Sequence, residues 1–148
     1  MRIAALVFCW PLGGCLVGDK IADEHWLWPS EREALRRSFS LALNDADTTQ
    51  IKWMRVIEWL DRGQSGGPVH YCGLINGKTS ADTFSGFHVF AADIKKNANG
   101  AYDEGEIRYA EGDLSVFRTS ARINDRPAHD TTQQLCKYWS YSDFSQSD

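Results

Sequence analysis

Two residues whose side chains could take part in catalysis, His70 and Cys72, lie two positions apart in the stretch VHYCGLINGKT. On a β-strand, residues two apart project to the same face, so the imidazole would lie beside the thiol. A thiolate next to an imidazole is a pair suited to nucleophilic catalysis, provided that a third group orients the base. The sequence identifies no such third group. The alternative is that Cys72 forms a disulfide and that His70 is a surface residue.

Three further polar residues follow: Asn76 and Lys78 near the end of the same stretch, and Ser80 just beyond it. On a strand Asn76 and Lys78 share one face, and together with Ser80 they form a candidate ligand patch. The alternative is that they solvate the outer face of a sheet and fix the turn that follows it.

Several classes of function are disfavoured by the sequence. The four histidines and the cysteines show no metal-ligand spacing such as H-x-x-x-H or C-x-x-C, so we predict no metal site and no cofactor. The net charge is −4, and the Lys and Arg residues are scattered. Because nucleic-acid binding needs a concentrated basic surface, we predict no nucleic-acid partner.

The first residues have the pattern of a bacterial lipoprotein signal. Arg2 precedes an apolar run that is too short to span a bilayer and that ends in Leu12-Gly-Gly-Cys15. This ending resembles a lipobox, in which residues 1–14 are removed and the cysteine carries a diacylglycerol thioether. The alternatives are a simple secretion signal or a buried first strand.

The lipobox hypothesis predicts a location and two kinds of partner. A chain acylated at Cys15 would lie in the bacterial cell envelope, anchored to the membrane by its lipid and facing the periplasm. Another envelope protein is a further candidate partner. A simple secretion signal would instead give a secreted or periplasmic protein.

The cysteine count fits an oxidising compartment. If Cys9 leaves with the signal and Cys15 carries the lipid, Cys72 and Cys136 remain as an even pair. A disulfide between them would close a loop of about 65 residues, which the chain-entropy model values at about 4 kcal/mol. The alternative is a pair of free, buried thiols.

The hydrophobic periodicity predicts an α+β domain, with an N-terminal helix and a short C-terminal helix on one face of a curved antiparallel sheet. Ser30 and Glu33 suggest a capping box at the start of the first helix. Strands are predicted from Ile51 to Leu60, across VHYCGLINGKT, across FSGFHVFAA and, more weakly, at EIRYA and LSVFR. The stretch KKNANGAYDEG is predicted as a loop, and Asp130 as the cap of the last helix.

The predicted organisation is a signal (1–14), a tether with an aromatic strap (15–29), one domain (30–139) and a frayed tail (140–148). The stretch HWLWP in the strap is predicted to bind a partner, to lie at a membrane interface or to pack on the sheet. Six Trp and seven Phe residues predict an aromatic core or groove.

Residues 71–87, YCGLINGKTSADTFSGF, resemble a hairpin motif of small bacterial and phage envelope proteins of unknown function, C-G-x-V-N-x-K-N-S-x-G-G-Y-x-G-F. The matching residues are Cys72, Gly73, Asn76, Lys78, Ser80, Gly86 and Phe87. The resemblance implies a secreted α+β domain with a bridged cysteine pair, and it implies no activity.

Together these observations predict a lipoprotein or secreted domain that acts by binding rather than by catalysis. The alternative is a small periplasmic enzyme whose pocket the sequence does not identify.

Overall fold

The computed structural model describes residues 21–59, 67–118 and 131–148. These residues form two α-helices and two antiparallel sheets, which confirms the α+β class. The helices are α1 (Pro29–Phe39) and α2 (Thr132–Tyr138). The strands are β1 (Ile21–His25), β2 (Gln50–Lys52), β3 (Val56–Trp59), β4 (Val69–Asn76), β5 (His88–Lys96) and β6 (Tyr102–Ala110).

The strands form a four-stranded sheet in the order β2-β4-β5-β6 and a two-stranded sheet of β1 and β3. The predicted hairpin is present as β4 and β5, and it occupies the centre of the larger sheet. The prediction of one curved sheet is wrong. Residues 53–55 leave the extended pairing and divide the predicted strand that starts at Ile51 into β2, in the large sheet, and β3, in the small one.

The two α-helices cover opposite faces of the large sheet. The ring of Phe39 at the end of α1 packs edge-on against Phe90 of β5, with 5.6 Å between the ring centroids. Cys136 of α2 is bonded to Cys72, which is paired with Ala91 of β5. Because Phe90 and Ala91 are consecutive in a strand, they project to opposite faces. The prediction that both helices lie on one face is therefore wrong.

Helix α1 begins one residue before the predicted capping box. Its N-cap is Trp28, whose backbone N–H donates to Oε2 of Glu31 at 2.7 Å. Pro29 occupies the first helical position, where its missing N–H costs no hydrogen bond. The predicted capping box of Ser30 and Glu33 is therefore wrong, because Glu31 takes that role.

The β5–β6 hairpin lies where the sequence predicts a polar loop. β5 continues to Lys96, and a turn over 97–101 leads into β6. Asn97 holds this turn by accepting from the backbone N–H groups of Asn99 and Ala101. The segment LSVFR is a short 3-10 helix, Leu114–Val116, rather than the predicted strand.

Residues 140–148 are held against the domain, so the predicted frayed tail is wrong. Tyr141 is buried, and its hydroxyl accepts from the backbone N–H of Ile57 at 3.2 Å and donates to the carbonyl of His70 at 3.3 Å. Trp53 and Asp148 exchange two backbone hydrogen bonds of 2.8 and 2.9 Å. These contacts lie far apart in sequence, so the local polar composition gives no sign of them.

A polar junction joins the small sheet to the large one. Oε1 of Glu58 in β3 accepts from the hydroxyl of Tyr102 at 2.6 Å and lies 2.5 Å from Nζ of Lys96. The His25 ring stacks on Tyr102 from the other strand of the small sheet. Burial alone would raise the pKa of Glu58, but Lys96 and Tyr102 outweigh it and hold this pKa below its usual value.

Candidate functional site

The predicted disulfide between Cys72 and Cys136 is present. The two Cα atoms lie 5.9 Å apart, within the range that a disulfide requires. Both residues are fully buried, with Cys72 in the central strand β4 and Cys136 in α2. The alternative of two free thiols is therefore wrong, and the bond fastens α2 to the middle of the sheet.

His70 has an orienting acid that the sequence does not reveal. Its Nδ1 lies 2.8 Å from Oδ1 of Asp93 on the neighbouring strand β5, and Oδ2 of Asp93 accepts from Nε of Arg108 at 3.1 Å. The imidazole stacks on Trp139, with 4.3 Å between the ring centroids. Because the sulfur of Cys72 is in the disulfide, the cysteine-nucleophile hypothesis is wrong. His70 is instead the end of a series of polar contacts that runs through Asp93 to Arg108.

Asp93 couples the stability of this cluster to pH. Burial alone would raise the pKa of Asp93, but His70 and Arg108 outweigh it and lower the pKa. A carboxyl whose folded-state pKa is depressed stabilises the fold above its unfolded pKa of about 4, and that contribution is lost as the pH falls through the folded-state pKa.

We therefore expect Asp93→Asn to lower the free energy of unfolding by about 1–3 kcal/mol at pH 6. The deficit should shrink as the pH falls toward 2, because wild-type Asp93 then becomes neutral as well. Urea titrations of both proteins across this range measure the difference. Asp47→Asn is the control, since Asp47 is exposed. A deficit that stays constant from pH 6 to pH 2 would contradict the coupling.

The structure separates the three residues of the predicted ligand patch. Asn76 is buried, and its side chain donates to Oε1 of Gln50 at 3.1 Å and accepts from the backbone N–H of Gly86 at 3.0 Å. Its amide is therefore occupied in holding the β4–β5 connection. Nζ of Lys78 pairs with Oδ1 of Asp82 at 2.8 Å, and Ser80 is exposed.

Lys78 and Ser80 border a shallow cleft of about 290 Å³. The residues that line it are Asn44, Asp45, Lys78, Thr79, Ser80, Asp82 and Ser115. Lys78 is the one cation among the described residues that line this cleft, and it is already paired with Asp82. A ligand role for Lys78 and Ser80 stays a prediction.

A second cleft, the Trp26 cleft, lies where the small sheet meets residues 140–146. Its volume is about 210 Å³. It is lined by Glu24, Trp26, Met54, Arg55, Ile57, Ser140, Tyr141, Ser142, Asp143 and Gln146. Trp26 follows β1 and Arg55 precedes β3. Because these two strands are antiparallel, both residues lie at the same end of the sheet.

Two cationic side chains, those of Arg32 and Arg55, lie close to the indole ring of Trp26. The guanidinium carbons of Arg32 and Arg55 lie 5.8 and 5.3 Å from the centroid of the indole ring, within the range of cation–π attraction. Arg32 is fixed further by the carbonyl of Leu27 and by the carboxylate of Asp148. A guanidinium that is itself fixed therefore lies next to the indole.

Arg55 is the least engaged of these groups. Nη1 of Arg55 lies 3.6 Å from Oε1 of Glu24, which makes a loose ion pair rather than a hydrogen bond. The side chain of Arg55 is half exposed. A guanidinium carries five N–H donors, so Arg55 keeps donors available to a ligand in the cleft.

Residues 140–146 supply the opposite wall of the Trp26 cleft. Asp143 caps a 3-10 helix, Phe144–Gln146, by accepting from the backbone N–H of Ser145 at 3.0 Å. The Ser145 hydroxyl, which also donates to Oδ1 of Asp143, and this backbone N–H lower the pKa of Asp143, so its carboxylate is ionised at neutral pH. Tyr141 anchors this wall to β3 and β4 through its hydroxyl.

The sequence gives only part of this site. The HWLWP stretch contributes Trp26 to the cleft and Leu27 to the core, while Trp28 is 71% exposed. Leu27 therefore belongs to the core, and a partner-binding or membrane-interface role for this stretch stays a prediction. The other wall comes from residues more than 100 positions away, and no pattern in the sequence connects it to Trp26.

The predicted signal at residues 1–14 and the predicted lipid site at Cys15 lie outside the described residues. Within the described residues, no helix has the length and apolar character to cross a membrane. Comparison with models of known protein families, with curated proteins and with solved structures finds no match to this chain.

Proposed function

We propose that this chain is a domain of the bacterial cell envelope, held to the membrane by a lipid on Cys15, that acts by binding a small ligand in the Trp26 cleft. The disulfide between Cys72 and Cys136 carries this proposal. Disulfides form and persist in oxidising compartments, and they are rare in the cytosol of most organisms. The bond also removes the only cysteine that the sequence offers as a nucleophile beside a histidine.

The Trp26 cleft supports binding as the mode of action. It combines an indole with a partly free guanidinium, and a binding site typically joins an apolar surface to a few polar groups that orient the ligand. Two apolar side chains, Met54 and Ile57, are buried beneath it. Because both walls are tied to the core, the cleft is formed before a ligand arrives.

The lipid anchor is tested by metabolic labelling with a palmitate analogue in a bacterial host. We expect the wild type to be labelled and Cys15→Ser to be unlabelled, because only the sulfur of Cys15 would carry the lipid. Cys9→Ser is the matched control and should be labelled like the wild type. Equal labelling of the Cys15→Ser variant would contradict the anchor.

Ligand binding is tested by the indole N–H resonance of Trp26 in ¹H–¹⁵N spectra. A soluble extract of bacterial envelopes should shift this resonance in the wild type. Ser142→Trp, which fills the cleft with a bulky ring, should abolish the shift. Ser80→Trp places the same ring on the exposed β4–β5 connection, and the shift should persist. If only Ser80→Trp lost the shift, binding would be assigned to the shallow cleft that Lys78 and Ser80 border, and the proposal would be contradicted.

A further inference from the structure

We propose that the ligand of the Trp26 cleft is a single uncharged sugar ring, an inference that rests on the binding function proposed above. The supporting features are the size of the cleft, its apolar floor, the presence of both donors and acceptors along it, and its charge balance.

Size and floor limit the ligand to one small ring. The cleft holds about 210 Å³, which is below the range of about 300–1,000 Å³ typical of sites for drug-sized molecules. Its floor includes Met54 and Ile57, each 8% exposed, beside the indole of Trp26. A pyranose presents C–H groups on its faces, and these would lie against such an apolar floor.

The polar groups around the floor match vicinal hydroxyls. Arg55 offers N–H donors, and the carboxylate of Glu24 offers acceptors. Oδ1 of Asp143 is occupied by Ser145, so Asp143 offers only the remaining lone pair of Oδ2, which also accepts from Gln146. Gln146 uses its Nε2 to donate to Asp143 at 3.1 Å, which leaves its carbonyl oxygen as a further acceptor. Each sugar hydroxyl both donates and accepts, so a ring of hydroxyls satisfies donors and acceptors together.

The charge balance disfavours an anionic ligand. Among the described residues that line the cleft, Arg55 is the only cation, and it shares the cleft with the carboxylates of Glu24 and Asp143. Arg32, on the indole but outside the lining, is paired with Asp148. Two carboxylates against one guanidinium would repel a phosphate or a carboxylate. A neutral polyhydroxylated ring is not subject to this repulsion.

Ser140 adds a hydroxyl at a position where the backbone favours glycine. It follows the last turn of α2 with φ of 75°, the left-handed conformation that usually ends a helix with glycine. A serine there carries a steric cost that glycine avoids. Ser140 lines the cleft, so a residue with a hydroxyl stands there in place of the glycine that this backbone conformation favours.

The inference is tested by titrating the isotopically labelled domain with glucose, galactose, N-acetylglucosamine and inorganic phosphate, using the Trp26 indole resonance. We expect at least one sugar to shift this resonance and phosphate to leave it unchanged. Arg55→Ala should weaken the sugar affinity at least about 10-fold, since hydrogen bonds to a charged group are lost. Arg37→Ala is the matched control on the exposed face of α1 and should bind like the wild type.

Thermal unfolding of both arginine variants verifies that they are folded. The inference is overturned if no sugar shifts the resonance, if phosphate shifts it, or if the Arg55 and Arg37 variants bind equally. If every sugar fails while the envelope extract still shifts the Trp26 resonance, the ligand class is wrong and the proposed binding function stands.

Co-sedimentation with insoluble peptidoglycan distinguishes a sugar ring carried on a polymer from a free, soluble sugar. Retention of the wild type that free N-acetylglucosamine reverses supports a ring carried on a polymer. Binding of a free sugar without retention supports a soluble saccharide. Retention that no free sugar reverses, and that Arg55→Ala leaves unchanged, contradicts the inference.

Discussion

Replacing Phe39 by alanine is expected to lower the free energy of unfolding by about 3–5 kcal/mol, the usual cost of removing a buried phenyl ring. Phe39 is 1% exposed and lies between α1 and the large sheet. Its ring packs edge-on against Phe90 and lies 6.3 Å from the ring of Trp53. The variant loses these contacts and leaves a cavity that the rigid aromatic neighbours cannot close.

The contact of Phe39 with β6 adds to this expectation. A Cβ atom built on Gly105 would lie 2.6 Å from the Phe39 ring, so the ring rests directly on the backbone of β6. Chemical denaturation followed by tryptophan fluorescence measures the loss. Leu41→Ala is the matched control, because Leu41 is 76% exposed in the same region and should change stability by less than about 0.5 kcal/mol. Similar losses in both variants would contradict the assignment of Phe39 to the core.

Replacing both Cys72 and Cys136 by alanine is expected to lower the free energy of unfolding by about 2–5 kcal/mol. The disulfide closes a loop with a sequence separation of 64, which restricts the unfolded chain. Both positions are fully buried, so the double variant also loses packing between α2 and β4. Changing both residues avoids a free thiol that would complicate the measurement.

Denaturation of the double variant, of the wild type and of the wild type under a strong reductant measures this effect. The reduced wild type should resemble the double variant, because both lack the covalent link. The proposed attachment of a lipid should be unaffected, because it would involve only Cys15. A double variant as stable as the oxidised wild type would show that the bond does not stabilise the domain.

The central hairpin is predictable from the sequence because its strands have strong patterns. β4 and β5 contain buried residues on both faces, and the polar turn between them is visible in the sequence. β6 is harder to recognise because it is an edge strand. Only Tyr102 and Ile107 are buried within it, and its other positions are charged or partly exposed. The Asn97–Gly100 turn is the signal that identifies this hairpin, since Gly100 has φ of 81°.

The sequence pattern does not predict the Trp26 cleft, for a different reason. Its residues come from β1 and the residue that follows it, from β3 and the segment before it, and from the tail after α2. The tail is polar, and only its long-range contacts, such as the Trp53–Asp148 pair, keep it in place. Local composition therefore suggests fraying, whereas tertiary contacts make this segment a wall of the cleft.

The position of the disulfide also determines how the domain would respond to a mechanical load. If residues 21 and 148 were pulled apart, tension would follow β4 to Cys72, cross the sulfur bridge to Cys136 and continue into the tail. The chain between the two cysteines, including β5 and β6, would be bypassed. The 64 steps between the cysteines can each extend by about 3.5 Å. While the disulfide is intact, the chain therefore cannot lengthen by the roughly 220 Å that this segment would add. Single-molecule extension should show a correspondingly longer rupture length after reduction.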